Sequence, residues 1–394
     1  MIQLVKLSTL CKMQSGGTPS RSNLDYYEGD FPWAKISDLE KSDDGYIYET
    51  EEHITQDALK SINNRQFSPG TLLLAMYGSV GKTAITKIQL TTNQAILGIN
   101  ILDDNILDIK YLKFWFSTIK ERLLNRAVGA ALPNISLGIV KDLEIPLPPL
   151  PQQQKIANIL DAADALRQND KALIAKYDEL TQALFLDMFG DPVSNPKGWE
   201  KVFLKSICTK ITDGTHFSPE PQEIGFPYIT AKHVKNHGLD FYSKPTYISE
   251  EAHNEIYKRC TPEYGDVLYI KDGATTGIAC INTFDEPFSM LSSLALIKPN
   301  KKTLNSYYLC HWLNNPKIKS KLLSEFMSGA AIQRYTLTKI NSFELYLPPI
   351  DLQNQFAERV TLIEEQKAIA QKSLEKSESL FNSLLQKAFK GELV

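Results

Sequence analysis

The chain has 394 residues, 43% hydrophobic and 23% charged, which is typical of a globular protein with more than one domain. No apolar run approaches the roughly 20 residues that span a bilayer, and the N-terminus MIQLVKLSTLCK lacks the features of a signal peptide, so we expect a cytoplasmic protein. The net charge of -3 excludes a uniformly basic surface, and five widely spaced cysteines argue against disulfides and zinc.

The first half of the chain carries short predicted elements. The segment VKLSTLC at Val5 leads to a turn at Gly17-Thr18. The apolar run at residues 71–75 predicts a β-strand, and helical spacing of apolar residues predicts a helix over residues 109–124. With loops between them, these elements indicate a mixed α/β domain.

A long helix is predicted after Pro148-Pro149, because consecutive prolines end regular structure and a Gln-rich stretch follows them. Its apolar residues recur at three- and four-residue steps, as in a coiled-coil seam. They are Ile156, Ile159, Leu160, Ala163, Leu166, Leu173, Ile174, Tyr177, Leu180, Leu184 and Met188. An amphipathic helix lying on its own domain is the alternative, but roughly 38 residues make a rod of about 57 Å, longer than a compact domain needs.

The second half repeats the first at a shift near 200 residues. FPWAKISDL at Phe31 corresponds to FPYITAKHV at Phe226, and VFLKSIC at Val202 leads to Gly214-Thr215. The repeat predicts a strand over residues 266–270 and a helix over residues 306–323. The ends match best: Gly129-Ala130-Ala131 returns as Gly329-Ala330-Ala331, and LEIPLPPLPQQQKIA returns as FELYLPPIDLQNQFA.

A second long helix follows the second Pro-Pro pair. Its seam residues are Phe356, Val360, Ile363, Ile369, Leu374, Leu380, Leu384 and Phe389. The predicted class is α+β, with two pseudo-symmetric globular α/β domains separated by two long antiparallel coiled-coil helices. The domains are expected at residues 1–150 and 191–350, and the helices at 151–190 and 351–394.

Charge is unevenly distributed in each half. Residues 298–339 hold eight basic side chains and only Glu325 as an acid, and residues 110–141 hold six and only Glu121. Acidic residues gather at positions 38–57. Solvated helix faces are the simplest explanation of one basic run, but recurrence at matching places favours a binding function.

Four catalytic or ligand-binding interpretations fail because the residues or the spacing that they need are missing. MYGSVGKT ends like a phosphate-binding loop, but its first glycine position holds Met76, so a glycine turn after a strand is favoured. Neither Pro-Pro pair has the polar and aromatic neighbours of an adenine methyltransferase loop. Asp266 and Lys271 lack nuclease E-x-K spacing, and His233 and His237 have no further ligand nearby for zinc.

The order of these motifs resembles the specificity (S) subunits of Type I restriction-modification enzymes. The resemblance covers nearly the whole chain and depends on GGTPS at Gly16, FPWAKISDL, IPLPPLPQQQKIANIL, FGDP at Phe189, DGTHFSPE at Asp213 and YGDVLYIKDGATTGIA. It implies two target-recognition domains, each reading half of a split, asymmetric double-stranded DNA target. The helices would be spacers docking two modification (methyltransferase) subunits, alongside restriction (nuclease/translocase) subunits. S-adenosylmethionine, ATP and Mg would then belong to those partners, with no cofactor or metal in this non-catalytic chain.

Candidate DNA contacts are polar or basic residues on glycine turns or repeat-matched loops. They are Lys35, Tyr77, Ser79, Lys82 and Asn134 in the first domain, and His216, Lys232, Lys271, Thr275, Arg334 and Tyr335 in the second. Each could instead be an ordinary surface residue. Two rival functions remain open: a protein-only coiled-coil scaffold, which leaves the basic runs unexplained, and a methyltransferase with fused recognition domains, which would need a longer chain.

Overall fold

The computed structural model describes residues 3–126, 134–236, 238–327 and 334–393. The repeated Gly-Ala-Ala triplets and His237 lie outside these ranges. The chain forms two compact units, unit 1 (Met1–Ile174 with Ile369–Val394) and unit 2 (Ala175–Ala368). Each unit mixes strands and helices and includes part of both long helices, so the predicted α+β class with a long helix after each domain is confirmed. The four predicted segment boundaries stay a prediction.

Unit 1 contains a five-stranded sheet in the order β2-β9-β6-β7-β4, a three-stranded sheet β5-β3-β8 and a β1-β10 pair. Its strands are β1 (Leu4–Lys6), β2 (Cys11–Ser15), β3 (Phe31–Ala34), β4 (Tyr46–Ile47), β5 (Glu52–Ile54), β6 (Leu72–Ala75), β7 (Thr83–Thr86), β8 (Thr91–Thr92), β9 (Ile96–Ile101) and β10 (Glu144–Pro146). Its helices are α1 (Leu7–Leu10), α2 (Ile36–Lys41), α3 (Gln56–Ser61), α4 (Ile109–Thr118), α5 (Lys120–Arg126), α6 (Leu137–Lys141) and the first part of α7 (Leu150–Phe189).

Unit 2 contains a four-stranded sheet in the order β12-β20-β17-β18, a three-stranded sheet β16-β13-β19 and the pairs β11-β21 and β14-β15. Its strands are β11 (Glu200–Phe203), β12 (Cys208–Asp213), β13 (Phe226–Ile229), β14 (Val234–Lys235), β15 (Gly238–Leu239), β16 (Tyr247–Ile248), β17 (Val267–Ile270), β18 (Ala279–Ile281), β19 (Ser289–Met290), β20 (Leu294–Pro299) and β21 (Glu344–Leu347). Its helices are α8 (Glu250–Tyr257), α9 (Ser306–Asn314), α10 (Pro316–Met327), α11 (Leu337–Asn341) and part of α12 (Ile350–Lys390). Short 3-10 helices lie at Leu24–Tyr27, Leu204–Ile207 and Ala231–His233.

Both predicted strands are present, but each begins one residue later than predicted. Every residue of β6 and of β17 is buried, as expected of apolar runs in a central strand. Each predicted helix is instead two helices. The first ends at Thr118 and restarts at Lys120, and the second restarts at Pro316, a residue suited to the first position of a helix.

A β-bulge in unit 2 changes the alignment of the repeat by one residue. Cys11 pairs with Ile101 in β9, and Cys208 pairs with Pro299 in β20, but the register of β12 shifts between Cys208 and Lys210. The extra residue makes Asp213 the counterpart of Ser15, because Ser15 pairs with Leu97 and Asp213 with Ala295. The predicted match of Gly17-Thr18 with Gly214-Thr215 is therefore one residue out of register.

The corrected alignment matches Gly16 with Gly214. A Cβ atom on Gly16 would lie 2.2 Å from the carbonyl oxygen of Thr92, and one on Gly214 would lie 1.8 Å from that of Met290. Both turns need glycine because the backbone of the neighbouring strand passes so close. The two units therefore share this turn, displaced by one residue from the position that the sequence match suggested.

A buried glutamine docks each long helix on its own unit in the same way. Gln153 accepts a hydrogen bond from the backbone N–H of Asp108 (2.9 Å) and donates to the carbonyls of Ile106 and Pro148. Gln353 accepts from the N–H of Asn305 (2.9 Å) and donates to Thr303 and Pro348. Both glutamines are fully buried, and their polar contacts anchor the first turn of each long helix to its own unit.

The long helices pack antiparallel within each unit. In unit 1, Ser377 donates a hydrogen bond to Asp170, and the Arg167 guanidinium lies 4.5 Å from the centre of the Phe381 ring. In unit 2, Lys367 pairs with Asp178 and Arg359 contacts the sulfur of Met188. Earlier residues of α7 thus contact later residues of α12, as predicted for an antiparallel pair.

Several predicted seam positions are wrong. Leu166, Leu173 and Leu180 are 54%, 41% and 50% exposed. In α12, Ile369 and Leu380 are exposed while the buried residues include Ala370, Leu374, Phe381, Leu385 and Ala388. Phe356, Val360 and Leu374 are buried as predicted. The other buried residues of this set each lie one position from a predicted seam residue, so the spacing is heptad-like but the register is shifted at those positions. Within the described residues, no helix is both long and apolar enough to cross a membrane.

Candidate nucleic-acid interface

Polar loops collect at one end of the main sheet of unit 1. β2 and β6 end there and β9 begins there, because Ser15 pairs with Leu97 and Ala75 with Ile96. Residues 15–18, 76–82, 93–95 and 134–135 form this end, which we call loop edge 1. Tyr77 and Asn134 meet on it in an isolated antiparallel bridge, and both side chains are exposed. The structure thus brings together two candidates that lie far apart in sequence.

The glycine turn of loop edge 1 is a hairpin between β6 and β7. The N–H of Gly81 donates to the carbonyl of Ala75, and the N–H of Lys82 donates to that of Ser79, both at 3.0 Å. A phosphate-binding loop would leave its N–H groups free and lead into a helix. The structure shows internal hydrogen bonds and a following strand, so the glycine-turn interpretation is confirmed.

Three further candidates of unit 1 are held by neighbouring residues. Lys35 donates to Glu52 (2.6 Å), and this hydrogen bond raises the lysine pKa. Ser79 donates to Glu40. The Lys82 ammonium lies 3.3 Å from the carbonyl of Ser42, and burial lowers its pKa. Each cation would have to leave a protein partner before it could contact a phosphate.

The corresponding end of the sheet in unit 2 comprises residues 213–217, 271–277, 291–293 and 334–335, which we call loop edge 2. Its glycine turn repeats the hairpin, since Gly277 donates to the carbonyl of Ile270 and Thr276 to that of Gly273. Asp272 and Arg334 form the isolated bridge equivalent to that of Tyr77 and Asn134. Arg334 also pairs with Asp272 through its side chain at 3.5 Å.

The candidates of unit 2 differ in access to solvent. His216, Thr275 and Arg334 are exposed on loop edge 2, and Lys232, exposed beside it, donates to Thr246 at 2.7 Å. Lys271 and Tyr335 are different, because they are 2% and 0% exposed. The Tyr335 ring packs against Tyr269 and Phe343, and burial raises its pKa to about 12. These two side chains belong to the interior beneath the loop edge.

A charge cluster centred on Asp213 lies at loop edge 2. The Asp213 carboxylate is buried, accepts a hydrogen bond from Arg259, and lies 3.4 Å from the Lys271 ammonium and 3.7 Å from His216. Asp213 was part of the DGTHFSPE motif but was not predicted as a site residue, and Arg259 was missed altogether. Sequence carries no signal for the contact between them, which joins residues 46 positions apart.

Unit 1 has a different cation near its own loop edge. The Arg21 guanidinium lies 4.2 Å from the centre of the Tyr27 ring and 5.0 Å from that of Trp33, and it pairs with Glu52 at 2.9 Å. Trp33 donates to the carbonyl of Gly17 on loop edge 1. Stacking on aromatic rings fixes the orientation of an exposed guanidinium. Arg21 was also missed by sequence reasoning.

Three lysines of the predicted basic runs pair with acids outside those runs. Lys298 lies 2.7 Å from Asp266, Lys317 pairs with Asp191, and Lys110 pairs with Asp161. Lys113 is 6% exposed, and burial lowers its pKa. The local excess of positive charge therefore overstates the number of cations available to a phosphate backbone. Among the described residues, no group of three or more His, Cys, Asp or Glu side chains could hold a metal ion.

The fold and the two loop edges define a protein with duplicated α/β units, each joined to a long helix and each presenting polar loops at the same end of its sheet. The family model described as "Type I restriction modification DNA specificity domain" matches residues 2–176 and again residues 196–378. The chain therefore belongs to the family of Type I restriction-modification DNA specificity domains.

Individual relatives agree with this membership. The specificity subunit of the type I restriction enzyme MjaIX from Methanocaldococcus jannaschii is 28% identical over 98% of this chain and 92% of its own length. A crystal structure of a Type-I restriction-modification system S subunit from M. genitalium matches with a TM-score of 0.59 at 17% identity, covering 98% of this chain and 96% of that one. A chain from a structural study of complex assembly and conformational transition of the type I R-M system matches with a TM-score of 0.53 at 18% identity, covering 99% and 98%. The two structural likenesses establish the fold.

Proposed function

We propose that this chain is the DNA-sequence-recognition subunit of a Type I restriction-modification complex. It binds a bipartite, asymmetric double-stranded target, with one half-site at loop edge 1 and the other at loop edge 2. The observation that carries this proposal is the duplication itself: the family model matches twice, and each copy presents a bridged glycine turn at the same end of its sheet. The two edges carry different side chains, which is what an asymmetric target requires.

The long helices are the proposed docking sites for two modification subunits and for restriction subunits. Support comes from exposed apolar side chains on these helices, among them Leu166, Leu180, Leu362 and Ile369. Apolar side chains left in solvent along a helix are a common feature of protein interfaces. The chain is proposed to be non-catalytic, and S-adenosylmethionine, ATP and Mg to be used by the partner subunits.

Methylome sequencing tests the proposed function. The chain is expressed with a type I modification subunit that assembles with it, in a host without other adenine methylation. The expected result is one split motif with a fixed gap, absent when either protein is expressed alone. Methylation without any motif would contradict a role in sequence recognition.

A binding assay tests the scaffold alternative. We expect the chain alone to bind duplex DNA weakly, because its net charge is -3 and many of its lysines are paired. Modification subunits should raise the affinity and confer sequence preference. A complex that forms with the chain yet binds DNA no better than the modification subunits alone would support a protein-only scaffold instead.

A further inference from the structure

We propose that Arg259 reads a guanine in the half-site of unit 2 and that Asp213, supported by the buried Lys271, is the positioning residue that orients it. This inference rests on the proposed function and names a specificity-determining residue for it. It depends on the geometry of the Asp213 cluster at loop edge 2.

The Arg259 side chain extends into solvent from a backbone that is held in place. Its side chain is 54% exposed, although the next residue, Cys260, is only 1% exposed and anchors the chain in the core. The Arg259 N–H donates to the carbonyl of Ile256 at 3.2 Å, and the Lys210 ammonium donates to the carbonyl of Arg259 at 2.8 Å. The backbone is therefore held on both sides of an exposed guanidinium.

Asp213 fixes the guanidinium itself. One carboxylate oxygen accepts from Nη2 of Arg259, and the other faces the Lys271 ammonium at 3.4 Å. The side chains of Asp213 and Lys271 are 4% and 3% exposed, so this ion pair is shielded from solvent. A guanidinium has five N–H donors in a planar fork, and one contact with Asp213 leaves others free to point outward.

A buried ion pair contributes little net stability, because desolvation offsets much of the attraction. Its value at this position is orientation. An arginine oriented by a carboxylate through one of its N–H groups keeps others with which to donate two parallel hydrogen bonds to O6 and N7 of guanine, the commonest base-specific contact in the major groove. His216, 3.7 Å from Asp213, adds a second exposed donor beside it.

Unit 1 provides the matching negative case. The counterparts of Asp213 and Lys271 are Ser15 and Met76, as the strand registers and the equivalent hydrogen bonds to residues 135 and 335 show. Neither can form an ion pair. The Asp213 cluster is thus a feature of one unit and not a requirement of the shared fold, which points to a role in reading one half-site.

The test uses the full chain assembled with its modification subunit, and a DNA library randomised over the half-sites. Arg259→Ala should lose roughly 10- to 100-fold discrimination at one base pair, confined to one half of the motif. Arg259→Lys should lose the same preference while keeping affinity for random DNA, since lysine is a point charge without the planar fork. Lys258→Ala, which changes an exposed neighbouring cation, should keep the whole motif.

The positioning role needs a variant that keeps the interior neutral. Asp213→Asn with Lys271→Met removes both charges together and introduces the methionine found in unit 1. This double variant should lose base preference at the same base pair as Arg259→Ala. Its thermal midpoint should stay close to that of the wild type. Full preference in this double variant would overturn the positioning role, and full preference in Arg259→Ala would overturn the reading role. A wild-type complex without any split motif would instead refute the proposed function.

Discussion

The two units share a set of equivalent buried hydrogen bonds, which we call the frame, and differ at their loop edges. The frame includes Gln153 and Gln353, which make equivalent hydrogen bonds, and Tyr111 and Tyr308, which each donate to a carbonyl of the strand before the Pro-Pro pair. At the edges, unit 1 has an arginine stacked on aromatic rings, whereas unit 2 has a buried ion pair beneath an arginine. Comparing the two copies within one chain therefore separates the residues that the fold requires from the loop-edge residues that can differ.

The largest expected effect comes from exchanging a whole edge. Replacing residues 16–146 with the equivalent region of a relative should change every specified base of one half-site and leave the other half and the gap unchanged, because each loop edge is built within its own unit. Methylome sequencing of the chimera measures this. Changes in both halves would show that the edges do not read independently.

Removing a frame glutamine should be costly in either unit. Gln153→Ala leaves the N–H of Asp108 and two carbonyls without their buried partner, and Gln353→Ala does the same in unit 2. Each unsatisfied buried group costs about 1–3 kcal/mol, so we expect each variant to lower the free energy of unfolding of its own unit by roughly 3 kcal/mol. Hydrogen exchange resolved by peptide measures it. Gln154→Ala, at an exposed position, is the control, and unequal losses in the two units would break the proposed equivalence of the frame.

Acid should destabilise unit 2 more than unit 1. Burial lowers the pKa of His311 to about 4, and it also lowers the pKa of His233 and His253. The unfolded state takes up a proton near pH 6.5 but the folded state does not, so stability is complete above pH 6.5 and falls as the pH drops toward 4. For His311 the loss at pH 5 is about 2 kcal/mol.

The control for this pH effect comes from the repeat. Phe114 occupies the position of His311 in unit 1, as the matching caps at Asp108 and Asn305 show. His311→Phe should abolish its share of the acid sensitivity, measured by urea unfolding at pH 7 and pH 5. An unchanged pH dependence would mean that His311 titrates equally in the folded and unfolded states.

The smallest expected effect is at Arg21. Arg21→Ala removes a half-exposed cation that stacks on Tyr27 and pairs with Glu52. Exposed pairs and stacked cations contribute on the order of 0.5–1 kcal/mol, so the thermal midpoint should fall only slightly. A decrease comparable to that of the glutamine variants would show that unit 1 needs Arg21 for its stability, as it needs the residues of the frame.

The frame was predictable from sequence because its signals are local. Pro-Pro pairs, the glutamines after them and the repeated apolar runs indicated both long helices and the positions of β6 and β17. The seam register was not predictable, since Leu380 and Phe381 are both apolar and only packing decides which is buried. The edges were predictable in part: a glycine turn located Tyr77, and repeat-matched loops located Asn134 and Arg334.

Contacts between distant residues escaped sequence reasoning. The β-bulge at Cys208 moved Asp213 by one position relative to unit 1, and nothing in the sequence marks it. Counting charges within a window gave two basic runs, but Asp161 and Asp191 pair with lysines of those runs from outside. Arg259 was missed for the same reason, because its partner lies in a strand from another part of the unit.

The division of the chain into units also sets an order of synthesis. Unit 2 is continuous, whereas the core of unit 1 includes Phe381, Leu385 and Ala388 from the end of the chain. A ribosome adding about 5–20 residues per second needs roughly 10 to 40 seconds to travel from residue 174 to residue 369. During that interval unit 2 is made and can begin to fold, while the apolar face of unit 1 that α12 will cover stays open. The first-made unit is thus completed after unit 2 has been made, and a truncation just before Phe381 would keep unit 2 whole and expose the core of unit 1.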